Sequence, residues 1–192
     1  MKLMSRDFTL KKYSELVLAL LSKYRTMTVA DYISMPIVEK HVAIMRHDVA
    51  RNPEKAAKLA LWEKQRGLRS TYYFRWDPKA VYWSGTGAER YGNFPELAVV
   101  EAKLYGHEVG MLCDSEDVLK KLERLNTLAP VRTAVGYSSE ELLGDPDTAP
   151  EFSEFVRFSD ADRKWSSDGL IEALKAGKHP LVIISITPGK WL

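Results

Sequence analysis

One cysteine, Cys113, stands in the 192 residues. That excludes an intrachain disulfide framework and any zinc knuckle built on thiolates. Long apolar runs are missing as well. The most hydrophobic early stretch, residues 16–21, lies between Glu15 and Lys23. It is too short to span a bilayer, and no small-residue cleavage site follows it. No membrane partner is expected, and the cytoplasm is the expected location. Charge of one sign is also scarce, with 28 Lys and Arg against 26 Asp and Glu. The cations are scattered among glutamates, as on solvated helix faces, and no basic stripe appears, so nucleic acid is not an expected partner. Internal repeats and low-complexity tracts are absent.

What is present is a globular balance of 45% hydrophobic and 28% charged residues, at a length that suits one domain with a substantial core. The expectation is a single domain over 1–192, with residues 1–40 a helical extension packed on it. Residues 9–24 have apolar positions at helical spacing (Leu10, Tyr13, Leu16, Val17, Leu20) behind Thr9 as N-cap,. Residues 42–49 read as a buried strand. A helix follows to Arg66, with Pro53 at its start and Gly67 just past its end,. Further strands are expected at 70–75, 108–114, 131–138, 156–159 and 181–187. Helices are expected at 94–105, at 115–128 behind Ser115, and at 167–176; a long loop covers 77–93. Strand and helix alternate, which predicts an α/β domain: a shortened, irregular barrel-like parallel sheet with helical crossovers.

In such folds the chemistry sits at the carboxyl ends of the strands. Arg46-His47-Asp48, Asp114 and Thr187 fall there, whereas His107 stands at a strand's start. Residues two apart on a strand share a face, so Arg46 and Asp48 point together and His47 points away.

The segment Arg46-His47-Asp48-Val49-Ala50 resembles the Arg-His-Asp-Val-Asp signature of the polysaccharide-deacetylase-like family. The helix of residues 54–66 and the following Ser70-Thr71-Tyr72-Tyr73-Phe74-Arg75 are similar to that family too. So are Gly106-His107-Glu108-Val109-Gly110, Ser159-Asp160-Ala161-Asp162-Arg163-Lys164-Trp165, and the closing Thr187-Pro188-Gly189-Lys190-Trp191. Five matches in order cover most of the chain. The resemblance implies a variant (β/α) barrel that holds one divalent metal through an Asp and two His and removes acetyl groups from amino sugars. A metal with open positions polarises the amide carbonyl and acidifies a bound water, while carboxylates move the protons.

Several of those positions are replaced here. The signature's second carboxylate is Ala50, the second histidine falls at Leu112, and the terminal histidine corresponds to Thr187. A His-Gly-x-Pro segment expected after the third crossover has no counterpart. Asp48 and His107 are the remaining metal candidates, with Asp48 also the catalytic candidate. Two ligands fall short of the three that a catalytic zinc site takes. The cofactor expectation is therefore no metal, or weakly bound zinc, cobalt or nickel.

Each candidate also has a plainer role. Asp48 serves as base or ligand, or as the ion-pair partner of Arg46. His47 and His107 line a cleft or bind a metal, or are packed and hydrogen-bonded. Cys113 joins a replacement site with Asp48 and His107, or is an inert core residue. Trp76 and Trp83 form a sugar-stacking wall, and Asp160, Arg163 and Trp165 line the same cleft or anchor a loop. Two functions follow: a non-catalytic relative binding a carbohydrate or protein partner, or a metal-dependent carbohydrate deacetylase. Open strand edges in a shortened barrel would be covered by extra elements, a homodimer or a partner chain. If the alignment holds, Leu112 and Ala50 border the same concave surface as Asp48 and His107.

Overall fold

The computed structural model describes residues 7–35, 40–79, 82–84, 87–89, 92–113, 117–137, 139–140, 142–162 and 165–191. The chain opens with α1 (Leu10–Leu21), which Thr9 caps by accepting Lys12 N–H at 3.2 Å. Next come β1 (Arg25–Met27), α2 (Val29–Ile33), β2 (Val42–Val49), α3 (Pro53–Lys64) and β3 (Thr71–Arg75). A hairpin of β4 (Tyr82–Ser84) and β5 (Gly87–Glu89) lies inside the segment expected to be a loop. Then follow α4 (Glu96–Leu104), β6 (Glu108–Leu112), α5 (Val118–Asn126), β7 (Val131–Val135), β8 (Val156–Ser159), α6 (Ser167–Ala176), β9 (Leu181–Ile186) and α7 (Pro188–Trp191).

Seven strands form one parallel sheet in the order β7-β6-β3-β2-β9-β8, with β1 also on β2. The sheet is not closed, so the fold is an irregular, barrel-like α/β sheet. Residues 1–40 were expected to supply a helical extension, but they also supply β1. Met27 pairs with Ile44 and Thr71 with Arg46, so β1 and β3 share one flank of β2 end to end. The connection from β7 to β8 runs from one edge strand to the other. That is where the His-Gly-x-Pro segment was missed in the sequence, and the barrel is open there.

Strand alternation divides the core. On the outer face, Ala43, Met45, Val182, Ile184 and Ile186 pack under α1, α6 and α7, while Tyr72, Phe74, Val109, Met111 and Ala134 pack under α3, α4 and α5. On the inner face, Val42, Ile44, Tyr73, Leu181 and Ile183 meet Tyr32, Phe152 and Phe155 from α2 and the β7–β8 connection. At 25 cal/mol per Å² or so of apolar burial, these layers supply the main drive to fold. Gly110 is needed for close approach. It pairs with Tyr73, and a Cβ there would lie 2.3 Å from the Tyr73 ring.

Candidate functional site

Arg46 and Asp48 project from the last turns of β2 onto the inner face, as their spacing predicts. The guanidinium grips both carboxylate oxygens, with Nε to Oδ1 at 2.9 Å and Nη2 to Oδ2 at 3.1 Å. Its remaining nitrogen Nη1 donates to Asp147 Oδ1 at 2.7 Å, and Arg157 reaches the same oxygen at 3.1 Å. Asp147 is itself set by Asp145, whose Oδ1 accepts Asp147 N–H at 2.8 Å and whose Oδ2 accepts Gly136 N–H. Burial alone would lower the pKa of Arg46, but Asp48 and Asp147 outweigh it and raise the value further,. Asp48 is thus the partner of a buried arginine, and both of its oxygens are occupied.

His47 faces the other way and is fully buried. Its Nε2 lies 2.8 Å from Glu63 Oε1, a carboxylate of α3 that is also fully buried. Glu63 further accepts the hydroxyls of Tyr13, of Tyr72 at 2.8 Å and of Ser70 at 2.9 Å. Burial pushes the Glu63 carboxyl up, but His47 and the Tyr13 hydroxyl hold it below the usual carboxylate range. An ionised Glu63 makes Nε2 of His47 the proton carrier, and Nδ1 then has no partner among the described residues,. Burial first, and then the Glu63 charge, push the hydroxyls of Tyr13 and Tyr72 well up.

His107 belongs to this outer side. Its Nδ1 accepts Ser70 N–H at 3.2 Å and its Nε2 faces the Ala60 carbonyl at 2.9 Å. The carbonyl can only accept, so Nε2 carries the proton and the ring is neutral; burial is the main cause that lowers its pKa. The expectation that Asp48 and His107 border one concave surface therefore fails: the sheet separates them. The next residue, Glu108, does face inward, where it accepts Thr71 Oγ1, Thr133 Oγ1 and Ala30 N–H. Leu112 packs against the inner cluster as expected. Cys113 packs against the outer one, away from Asp48.

Asp160 also proves to be an anchor. It accepts Thr187 N–H and Oγ1 at 2.8 and 2.9 Å, Trp191 Nε1 at 2.9 Å, and Lys190 Nζ at 3.3 Å. The two C-terminal motif segments are bolted together by this one carboxylate. Trp165 lies beside Trp191, with Nε1 donating to Ser167, and borders a separate 320 Å³ hollow with Phe158 and Leu170. Arg163, Asp114, Ser115 and the side chain of Trp83 lie outside the described residues.

The open space beyond the carboxyl ends of β2 and β3 is a cleft of about 650 Å³. Ala50, Arg51, Asn52, Arg75, Trp76 and Asp77 are among its lining residues. Trp76 stands edge-on to Phe94 at 5.3 Å, which fixes one side of the ring. Asn52 turns the chain into α3 with φ of 52°, a left-handed conformation that asparagine tolerates,.

These residues do not fit the metal that the resemblance implies. Asp48 is held by Arg46, His107 is across the sheet with both nitrogens on backbone groups, and Thr187 is bonded to Asp160. Among the described residues no three His, Cys, Asp or Glu are grouped to hold an ion. The sequence had not singled out Glu63 or Asp147. Glu63 did leave a signal: it continues the buried stripe Ala56, Leu59, Ala60 at i, i+3, i+4 and i+7, where an acid is out of place,. Asp147 left none, because its partner is 101 residues away. No protein-family model matches the chain, and no curated protein matches it significantly. No helix among the described residues is long and apolar enough to cross a membrane.

Proposed function

We propose that this chain is a polysaccharide-deacetylase-like protein that binds carbohydrate through the cleft beyond β2 and β3 and does not hydrolyse it. The observation that carries this reading is the Asp48 carboxylate, bound on both oxygens by Arg46 with no histidine beside it. A carboxylate so held is a poorer general base and ligand, because a guanidinium already takes two of its lone-pair sites and competes for its charge. The adjoining cleft keeps what sugar binding uses: an aromatic ring at Trp76 and polar groups at Asn52 and Asp77,.

The test is metal analysis, acetate release and saccharide titration on protein purified without chelators. Substoichiometric zinc, cobalt or nickel is expected, with no acetate released from N-acetylated sugars. A saccharide should bind and weaken about tenfold in Trp76→Ala, by the worth of one aromatic stacking contact. One metal per chain, lost in Asp48→Ala together with acetate release, would replace this reading with that of a metal-dependent deacetylase.

A further inference from the structure

The rim of the cleft has an imbalance that the carbohydrate reading does not require. Arg51, Arg75 and Lys79 line it, all exposed, and Asp77 is the one acid among its described lining residues. Asp77 is already engaged: its Oδ1 accepts Lys79 N–H at 2.8 Å, and its backbone pairs with Asn93. Among the described residues, neither guanidinium has a carboxylate partner. Elsewhere several arginines are matched: Arg46 takes Asp48 and Asp147, Arg69 takes Asp31, and Arg157 takes Asp147, while Arg66 and Arg132 donate instead to a carbonyl and a hydroxyl. The contrast is local, since the whole chain is nearly neutral at +2.

Two arginine forks and an ammonium around a concavity make a receptor for oxyanions. Guanidinium binds carboxylate or phosphate through paired N–H donors, and a cleft with low-dielectric walls concentrates its field. Trp76 stands among these cations, so one molecule can lay a sugar face on the ring and an anionic group on the rim. We infer that the cleft takes an acidic saccharide, a sugar ring bearing a carboxylate or a phosphate, rather than a neutral one. This rests on the carbohydrate reading and narrows it.

The experiment is calorimetric titration of the full chain with three probes: tetragalacturonate, UDP-N-acetylglucosamine and neutral chitotetraose. At least one acidic probe should bind about tenfold or more tightly than chitotetraose. That advantage should shrink between 0.05 and 0.3 M salt, roughly as the Debye length falls. It should be lost in Arg51→Ala/Arg75→Ala, whose melting temperature should match that of the parent because both side chains are exposed and have no carboxylate partner among the described residues. The acidic probe that binds names the anion, carboxylate or phosphate. Chitotetraose binding as tightly as both acidic probes, with no change in the double variant, would overturn the charge inference and leave the carbohydrate reading standing. Binding of none of the three would overturn both.

Discussion

Residues 46, 47 and 48 are consecutive, yet they serve two regions of opposite character. The outer region around His47 is closed: Glu63, Tyr13, Tyr72, Ser70 and His107 meet with essentially no solvent. The inner region around Arg46 and Asp48 is open at its edge, where the Asp48 and Asp147 side chains are 30% and 42% exposed. Both regions centre on a charge with several partners, but water can stand in for a lost partner only in the second. A short polar motif at a strand end can thus be half fold and half surface, and the alternation of the strand alone decides which residue does which.

Removing one charge from each region should break the comparison most sharply. Glu63→Ala leaves two tyrosine hydroxyls, a serine and a histidine buried without their acceptor. It should cost about 3–5 kcal/mol in chemical denaturation, the range for a broken buried pair. Asp48→Ala leaves Arg46 its bond to Asp147 and gives water room to enter. A loss of about 1 kcal/mol or less is expected in the same assay. Equal losses would mean that the two regions do not differ in the way described.

The smallest effect is in pH. Glu63 is held below the usual carboxylate range, so its contribution is present above about pH 4.3 and disappears as pH falls through its folded value. His107 is depressed by burial and stays neutral while the unfolded chain takes a proton below about pH 6.5, so its contribution also fades as pH falls,. Glu108 has the opposite sign. Burial, partly offset by Ala30 N–H, Thr133 and Thr71, raises its pKa, so its contribution is full below about pH 4.3 and lost as pH rises through the folded value,. Melting curves from pH 7 to 3 should show a net decline in stability, and Glu63→Gln should flatten the part below about pH 4.3. A profile that rises toward pH 4 would make Glu108 the dominant group.

The elements with strong periodicity were legible. The alternating class, the β2, β3, β6 and β9 strands and the inward pairing of Arg46 with Asp48 all follow from spacing within one segment. What was hidden depends on partners far away in the chain. β1 is three residues long and is a strand only because β2 lies beside it. The β4–β5 hairpin is hidden among glycines, and although open edges were expected of a shortened barrel, the sequence did not show that β7 and β8 border the opening. In the candidate site, the cations at 51 and 75 were readable as residues, but their convergence on one cleft is a product of the fold. His107 misled because a histidine after glycine at a strand's start suits a ligand as well as a bridge between Ser70 and Ala60.

The position of β2 sets the order in which the molecule can be assembled. One flank of this strand is filled early, by β1 and β3, while the other waits for β9, so that Val42 meets Leu181 and His47 meets Ile186. On the ribosome the central strand must therefore emerge, pair on one side and persist with its other ladder edge exposed until β9 has been made. The lock of Asp160 on Thr187 and Trp191 forms only after β9. Synthesis interrupted before β9 would release a sheet whose central strand still has one flank unpaired, the kind of edge that recruits other chains.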